Sequence, residues 1–329
     1  MAFTDALVAN RDVRVVLVDR RARPGGHWVD AYPYVRLHQA SQFYGVASRP
    51  FGGRIQTEGP EAGLHERASG AEVLQYYDDV LSALVRSGRV EFHPASEYRD
   101  DRSLVSLESG ERYRVPDRCR IVDATYLSPE IPVLTPPPFE VSAGAKVMAC
   151  NDIVQVGETA KRFVVVGSGK TATDTCLWLL ERGIAPDDIC WVRPREPWMM
   201  NRAVVQPNPA IFTAMVADTF EAAAAASSLD DLFLRLESAG IMVRIDRSRV
   251  PTMAKAPTIA QWEIDGLRTI TNVVRHGHIR RAERGRLVFD DAVVRIPDDA
   301  VIVHCAAPGL RYPPLVPIWR REVWSRQRR

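Results

Sequence analysis

Residues 162–175 read RFVVVGSGKTATDT, and the fold depends on how GSGKTA within them is understood. A P-loop that wraps a nucleoside triphosphate requires Gly-x-x-x-x-Gly-Lys-[Ser/Thr], a wide loop of backbone N–H groups around the β-phosphate. The glycine needed five positions before Gly169 is instead Val164, inside the apolar run FVVV. A strand that continues to Gly167 leaves no room for such a loop, so ATP hydrolysis is the least favoured reading. Gly-x-Gly-x-x-Ala fits better. Gly167 makes a tight turn, Gly169 permits close approach of a pyrophosphate, and Ala172 stands where helix meets strand. With Ser168, Lys170 and Thr171 these residues form a candidate dinucleotide turn, the phosphates resting on the N-terminus of a helix over 170–182.

Outward from the turn the pattern is strand and helix in alternation. A strand over 189–193 (ICWVR) follows the helix and ends at Arg193, with Arg195 two residues on. An acid at that strand end suits a ribose 2′-OH, whereas guanidinium suits a 2′-phosphate, so the residues point to NADPH rather than NADH. The alternative, two arginines on a solvated loop, stays open. Upstream, 70–87 repeats apolar positions at helical spacing, and strands are expected near 103–108, 112–115 and 120–125. Residues 128–141 carry five prolines, which suit an extended connection and a domain boundary. Residues 210–240 read as a two-helix insertion, and short strands are expected within 270–276, 285–291 and 299–309. The fold class expected is α/β with parallel sheets.

The run VRVVLVD (13–19) reads as a buried parallel strand ending in Asp19. Gly167 and Arg193 lie 26 positions apart, and the same interval counted back from Asp19 runs off the start of the chain. On that ruler MAFTDALVA is a helix, with Phe3, Ala6 and Leu7 on one face, belonging to a second dinucleotide unit whose first strand and glycine loop are absent from the sequence. The following stretch, VDRRARPGGHW, resembles the FAD-binding unit of two-dinucleotide flavoprotein oxidoreductases, including the flavin monooxygenase-like group, as do YPYVRLHQASQFYG, VDATYLSPEIP and VIVHCAAPG in that order. The resemblance implies two Rossmann-like domains: an FAD-type one over 1–155 and 297–329, incomplete at its N-terminus, and an NAD(P)H-type one over 156–296. It implies Asp19 and Arg20 at the adenosine ribose, Gly25, Gly26 and Trp28 near the flavin, and His38 and Gln39 close to its ring. His38 is either a proton donor or structural. Trp198, Asn201 and Arg202 are candidates to line a nicotinamide entrance; the alternative is that Trp198, Met199 and Met200 are only core filler. Two departures limit the resemblance. The FAD glycine loop is missing, and the Phe-x-Gly-x-x-x-His that typical flavin monooxygenases and Baeyer–Villiger enzymes carry is not found in FEVSAGAKVMAC (139–150), so oxygen insertion does not follow. The absence of Cys-x-x-Cys equally speaks against a disulfide reductase. Catalytic residues are not assigned.

The implied function is hydride transfer from NADPH to FAD and then to oxygen or an organic acceptor. The rival is a truncated, flavin-free NADP(H)-binding protein, and a third reading is a dehydrogenase without flavin. The remaining composition bounds the partners. Across 329 residues the net charge is +2, which offers no field for nucleic acid or an anionic membrane, although 320–329 holds five arginines. A small-molecule substrate is expected, with no nucleic-acid or membrane partner, and the sequence leaves the oligomeric state open. Five dispersed cysteines read as reduced buried thiols in a cytoplasmic protein with no metal site.

Overall fold

The FVVV run is the centre of a five-stranded parallel sheet. The computed structural model describes residues 1–329 except 126–128, 158–159, 308, 311–313, 316, 318, 320–322 and 326–329. In the N-terminal part, helix α1 (Ala2–Asn10) leads to strand β1 (Val15–Val18), helix α2 (Gly70–Arg86) and strand β2 (Val90–His93). β1 and β2 run parallel as a two-stranded sheet. The chain then passes through an antiparallel sheet of 96–99, 103–106 and 112–114 and reaches β3 (Lys146–Ala149) and β4 (Phe163–Val166). Helix α3 (Lys170–Glu181) joins β4 to β5 (Ile189–Val192), and β6 (Pro197–Asn201) follows. Helices α4 (Pro209–Ala225) and α5 (Leu229–Ser238) precede β7 (Met242–Val243), β8 (Met253–Ile259), α6 (Gln261–Arg268), β9 (Val273–Val274) and β10 (Val301–His304).

The central sheet has the order β9–β5–β4–β10–β3, all parallel. Its central strands β5, β4 and β10 are buried on both faces, which is why they read as apolar runs. On one face Phe163, Val165, Ile189 and Trp191 pack against α3 and α6 through Cys176, Leu179, Ile264 and Leu267. On the other, Val164, Val166, Cys190 and Ile302 meet Ala282, Leu287 and Phe289. β3 and β10 fall outside 156–296, so the sheet draws strands from both sides of the expected domain boundaries. Beside it, β6 pairs with β7 and β8, and the α4–α5 hairpin covers that sheet through Trp198, Ala222, Leu236 and Met242. The two-helix reading of 210–240 is realised in α4 and α5.

Three expectations are corrected. β1 is parallel but not buried: Val16 is 56% exposed. Its neighbours Val15 and Leu17 face Val8, Tyr76 and Leu84, while alternation turns Val16 to the uncovered face. In α1 the buried residues are Thr4, Asp5 and Val8, not Phe3, Ala6 and Leu7. Asp5 is drawn inward because its carboxylate accepts from the Ser48 backbone N–H and hydroxyl. Among the cysteines, Cys119 is exposed and the other four are buried and free. Parts of two quoted motifs, at 126–128 and 308, and most of the arginine-rich stretch lie outside the described residues.

Candidate functional site

The turn after β4 is built from close approaches. Gly167 has φ +138°, where an L side chain is strained, and a Cβ there would lie 3.5 Å from both Ala172 and Cys305 side-chain carbons. Trp191 Nε1 donates to the Gly167 carbonyl at 2.8 Å and braces the turn from the neighbouring strand. Gly169 is the N-cap of α3 and has no side chain to bond the helix's first N–H groups. Those groups and the helix dipole therefore face outward as an anion site. A Cβ on Gly169 would stand 3.4 Å from Lys255 Nζ, which donates to the Ser168 carbonyl at 3.4 Å. On β8, Lys255 lies opposite Met199 of β6, immediately before a register shift that puts Thr258 opposite Met200. Such an irregularity re-aims side chains. Burial, and then the charge of Arg195, lowers the pKa of Lys255. Arg195 is exposed, and among the described residues neither cation makes an ion pair.

The other residues singled out by sequence take different positions. Arg193, expected to meet a 2′-phosphate, is 2% exposed. It donates to Glu196 at 3.0 Å and stacks 4.4 Å from the centroid of Trp191. The guanidinium is turned into the core, with Nη1 buried and without a hydrogen-bond partner among the described residues. Lys170 turns away from the anion site and pairs with Asp174 and, at 3.1 Å, with Glu263. Thr171 and Ser168 stay at the turn. Trp198 is core, 1% exposed and stacked on Phe233. Asn201 caps the turn of 202–204.

In the N-terminal part, Asp19 accepts from the Arg21 N–H at 2.9 Å, and Arg20 is exposed and pairs loosely with Glu97. Gly25 (φ +131°) and Gly26 (φ +58°) form the turn after β1. At Gly25 a Cβ would meet Leu74 Cδ2 at 2.5 Å. Trp28 packs at the edge of the main core, and the Gln39 backbone lies beside the Tyr44 hydroxyl. His38 is the informative case. Burial first, then the cations Lys170, Arg202 and Arg67, push its pKa down to about 4. Its imidazole is neutral at pH 7, so it is not a cationic proton donor there.

Around His38 lies a cluster that sequence reading missed apart from Lys170 and Arg202. Arg202, fully buried, donates to the His38 carbonyl at 2.9 Å and pairs with Glu61 and, at 2.6 Å, with Glu263. Arg67 pairs with Glu61 at 2.8 Å, and Trp262 Nε1 donates to Glu61 at 3.0 Å. Burial alone would raise the Glu61 carboxyl, but Arg67 and Arg202 outweigh it and hold the pKa at about 2. No spacing announces these pairs, since Glu61 and Arg202 are 141 positions apart. Lys255 had one available signal: it is one of four lysines in a chain with 43 Lys and Arg together.

No protein-family model matches the chain. An uncharacterized protein of Mycobacterium tuberculosis (strain ATCC 25618 / H37Rv) is 43% identical over 324 residues, and a Mycobacterium bovis protein matches equally. The match covers 97% of this chain and 60% of those proteins, so the chain spans about three-fifths of the length of the curated relatives it matches. Among solved structures, ε-caprolactone-bound cyclohexanone monooxygenase aligns with a TM-score of 0.56 at 17% identity, covering 94% of this chain and 71% of that one. OTEMO in complex with FAD and NADP aligns with a TM-score of 0.53 at 14% identity, covering 94% and 68%. The fold is α/β with parallel sheets and is similar to that of these flavoprotein monooxygenases. Among the described residues, no helix is long and apolar enough to cross a membrane.

Proposed function

We propose that the chain is part of a flavin-dependent oxidoreductase that takes hydride from NADPH to FAD and passes the electrons to oxygen or an organic acceptor. The observation that carries the nucleotide half is the glycine turn on α3 with Lys255 and Arg195 beside it. Two cations without carboxylate partners, next to open helix N–H groups, suit a dinucleotide that carries an extra phosphate. Gly167, Ser168, Gly169, Thr171 and Ala172 would seat the pyrophosphate, and Lys255 and Arg195 would hold the 2′-phosphate. The flavin half rests on the order of motifs along the N-terminal part and on the fold likeness. Asp19 keeps one carboxylate oxygen beyond its bond to Arg21, and the Gly25–Gly26 turn brings backbone close to Leu74, which suits Asp19, Arg20, Gly25, Gly26, Trp28, His38 and Gln39 as the FAD side. The chain's own contribution is to bind and orient both cofactors.

Calorimetric titration with NADP⁺ and NAD⁺ tests the nucleotide half. NADP⁺ is expected to bind about tenfold tighter or more, and Lys255→Met to remove most of that preference. Equal affinities would defeat the assignment. The flavin half is tested by the visible spectrum after incubation with FAD and desalting: retained bands near ~450 nm, bleached anaerobically by NADPH, support it. A colourless protein that binds NADP⁺ would favour the second reading, a flavin-free NADP(H)-binding protein, for which the geometry of the turn is sufficient.

A further inference from the structure

Six side chains of alternating sign run through the interior between the N-terminal part and the central sheet: Asp174, Lys170, Glu263, Arg202, Glu61 and Arg67. Four come from the α3, β6 and α6 region, and Glu61 and Arg67 from the segment before α2. At one end the Tyr32 hydroxyl donates to Asp174 at 2.7 Å. Along the rest, two consecutive carbonyls are held: Arg67 donates to Leu37 O at 3.1 Å, and Arg202 to His38 O at 2.9 Å. Thr258 Oγ1 also donates to His38 O. The charges of these six side chains sum to zero, so each ion has its counter-ion at hand.

Lys170 is the first residue of α3, where a cation opposes the helix dipole and a side chain ordinarily leans past the N-terminus. Here two carboxylates draw it inward instead. The anion site at Gly169 keeps the dipole's field, and the ammonium is spent on joining the two parts of the molecule.

We propose that Lys170, Glu263 and Arg202 are positioning residues that seat the Leu37–His38 backbone against the nucleotide turn, and that Lys170 is not a phosphate ligand. The proposal deepens the NADPH assignment and rests on it for the second clause alone. Its test pairs hydrogen exchange at the amides of 37–41 with NADP⁺ titration at two salt concentrations. In the full chain, Lys170→Met and Glu263→Gln are expected to speed exchange at 37–41 by about tenfold or more, relative to unaffected strands of the central sheet. Lys170→Met should change the NADP⁺ Kd by less than about threefold and leave its salt dependence intact. Lys255→Met should do the reverse. Lys170→Arg, which keeps the charge, should keep most of the protection. Should a single variant unfold, the pair K170M/E263Q removes one charge of each sign and gives the same readout. Unchanged exchange at 37–41, or a Lys170→Met affinity loss of about tenfold with reduced salt dependence, overturns the proposal. Failure of the unaltered chain to bind NADP⁺ would sink the nucleotide assignment and with it the second clause. Exchange at 37–41 would still decide the seating of Leu37–His38.

Discussion

At the scale of the residue, environment overrides identity. Arg193 and Arg195 are the same residue type two positions apart, yet one is buried under Trp191 and paired with Glu196 while the other is exposed. Period-2 alternation would put both on one face, but β5 ends at Val192 and the chain bends at Pro194 and Arg195, which separates a core cation from an exposed one. His38 shows the effect on protonation. Its folded pKa of about 4 lies below the ordinary 6.5, so the unfolded chain takes the proton first as pH falls. Its contribution to stability is therefore complete above about pH 6.5 and is lost towards pH 4. Glu61, held at about 2 against 4.5, adds a second loss between about pH 4.5 and 2. Urea unfolding of His38→Gln across pH 4–7 should show a flatter stability profile than the unaltered chain, with the difference confined to the upper window. An identical slope would mean that His38 does not titrate as described.

At the scale of the element, local rules hold where the backbone itself is constrained. Helix α2 begins with a reciprocal cap: Ser69 Oγ accepts from Glu72 N–H at 3.3 Å, and Glu72 accepts from Ser69 N–H at 2.7 Å. Ser69→Ala should cost about 1 kcal/mol, read as a shift of the urea midpoint at constant m. Gly167 is less forgiving. Its φ of +138° implies that Gly167→Ala loses about 1–3 kcal/mol through backbone strain and weakens NADP⁺ binding together with stability. Retained affinity in that variant would show that the turn is not the pyrophosphate seat. The turn, its strand and its helix were legible in the sequence because all three follow from short-range geometry. The place of Lys255 beside the turn was not, since it depends on pairing between β6 and β8.

At the scale of the whole molecule, the buried charge chain couples distant segments. Deleting one member leaves its neighbours as uncompensated ions in a low dielectric, which costs more than the pair contributes. Arg202→Met should therefore destabilise by about 3–5 kcal/mol, and adding Glu61→Gln should recover part of that loss. Strict additivity of the two changes in urea unfolding would argue against a coupled chain.

The apolar runs, the glycine spacing and the alternation of strand with helix by themselves determined an α/β protein with a tight strand-to-helix glycine turn at 167–172, because periodicity and backbone sterics act over a few residues. Only the tertiary structure decided that Val16 is exposed, that Arg193 is buried, that Lys170 faces inward and that Lys255 stands at the turn. Each of these depends on which charges and surfaces are brought together from positions far apart in the chain, and Coulomb energy and burial act through space without regard to sequence distance.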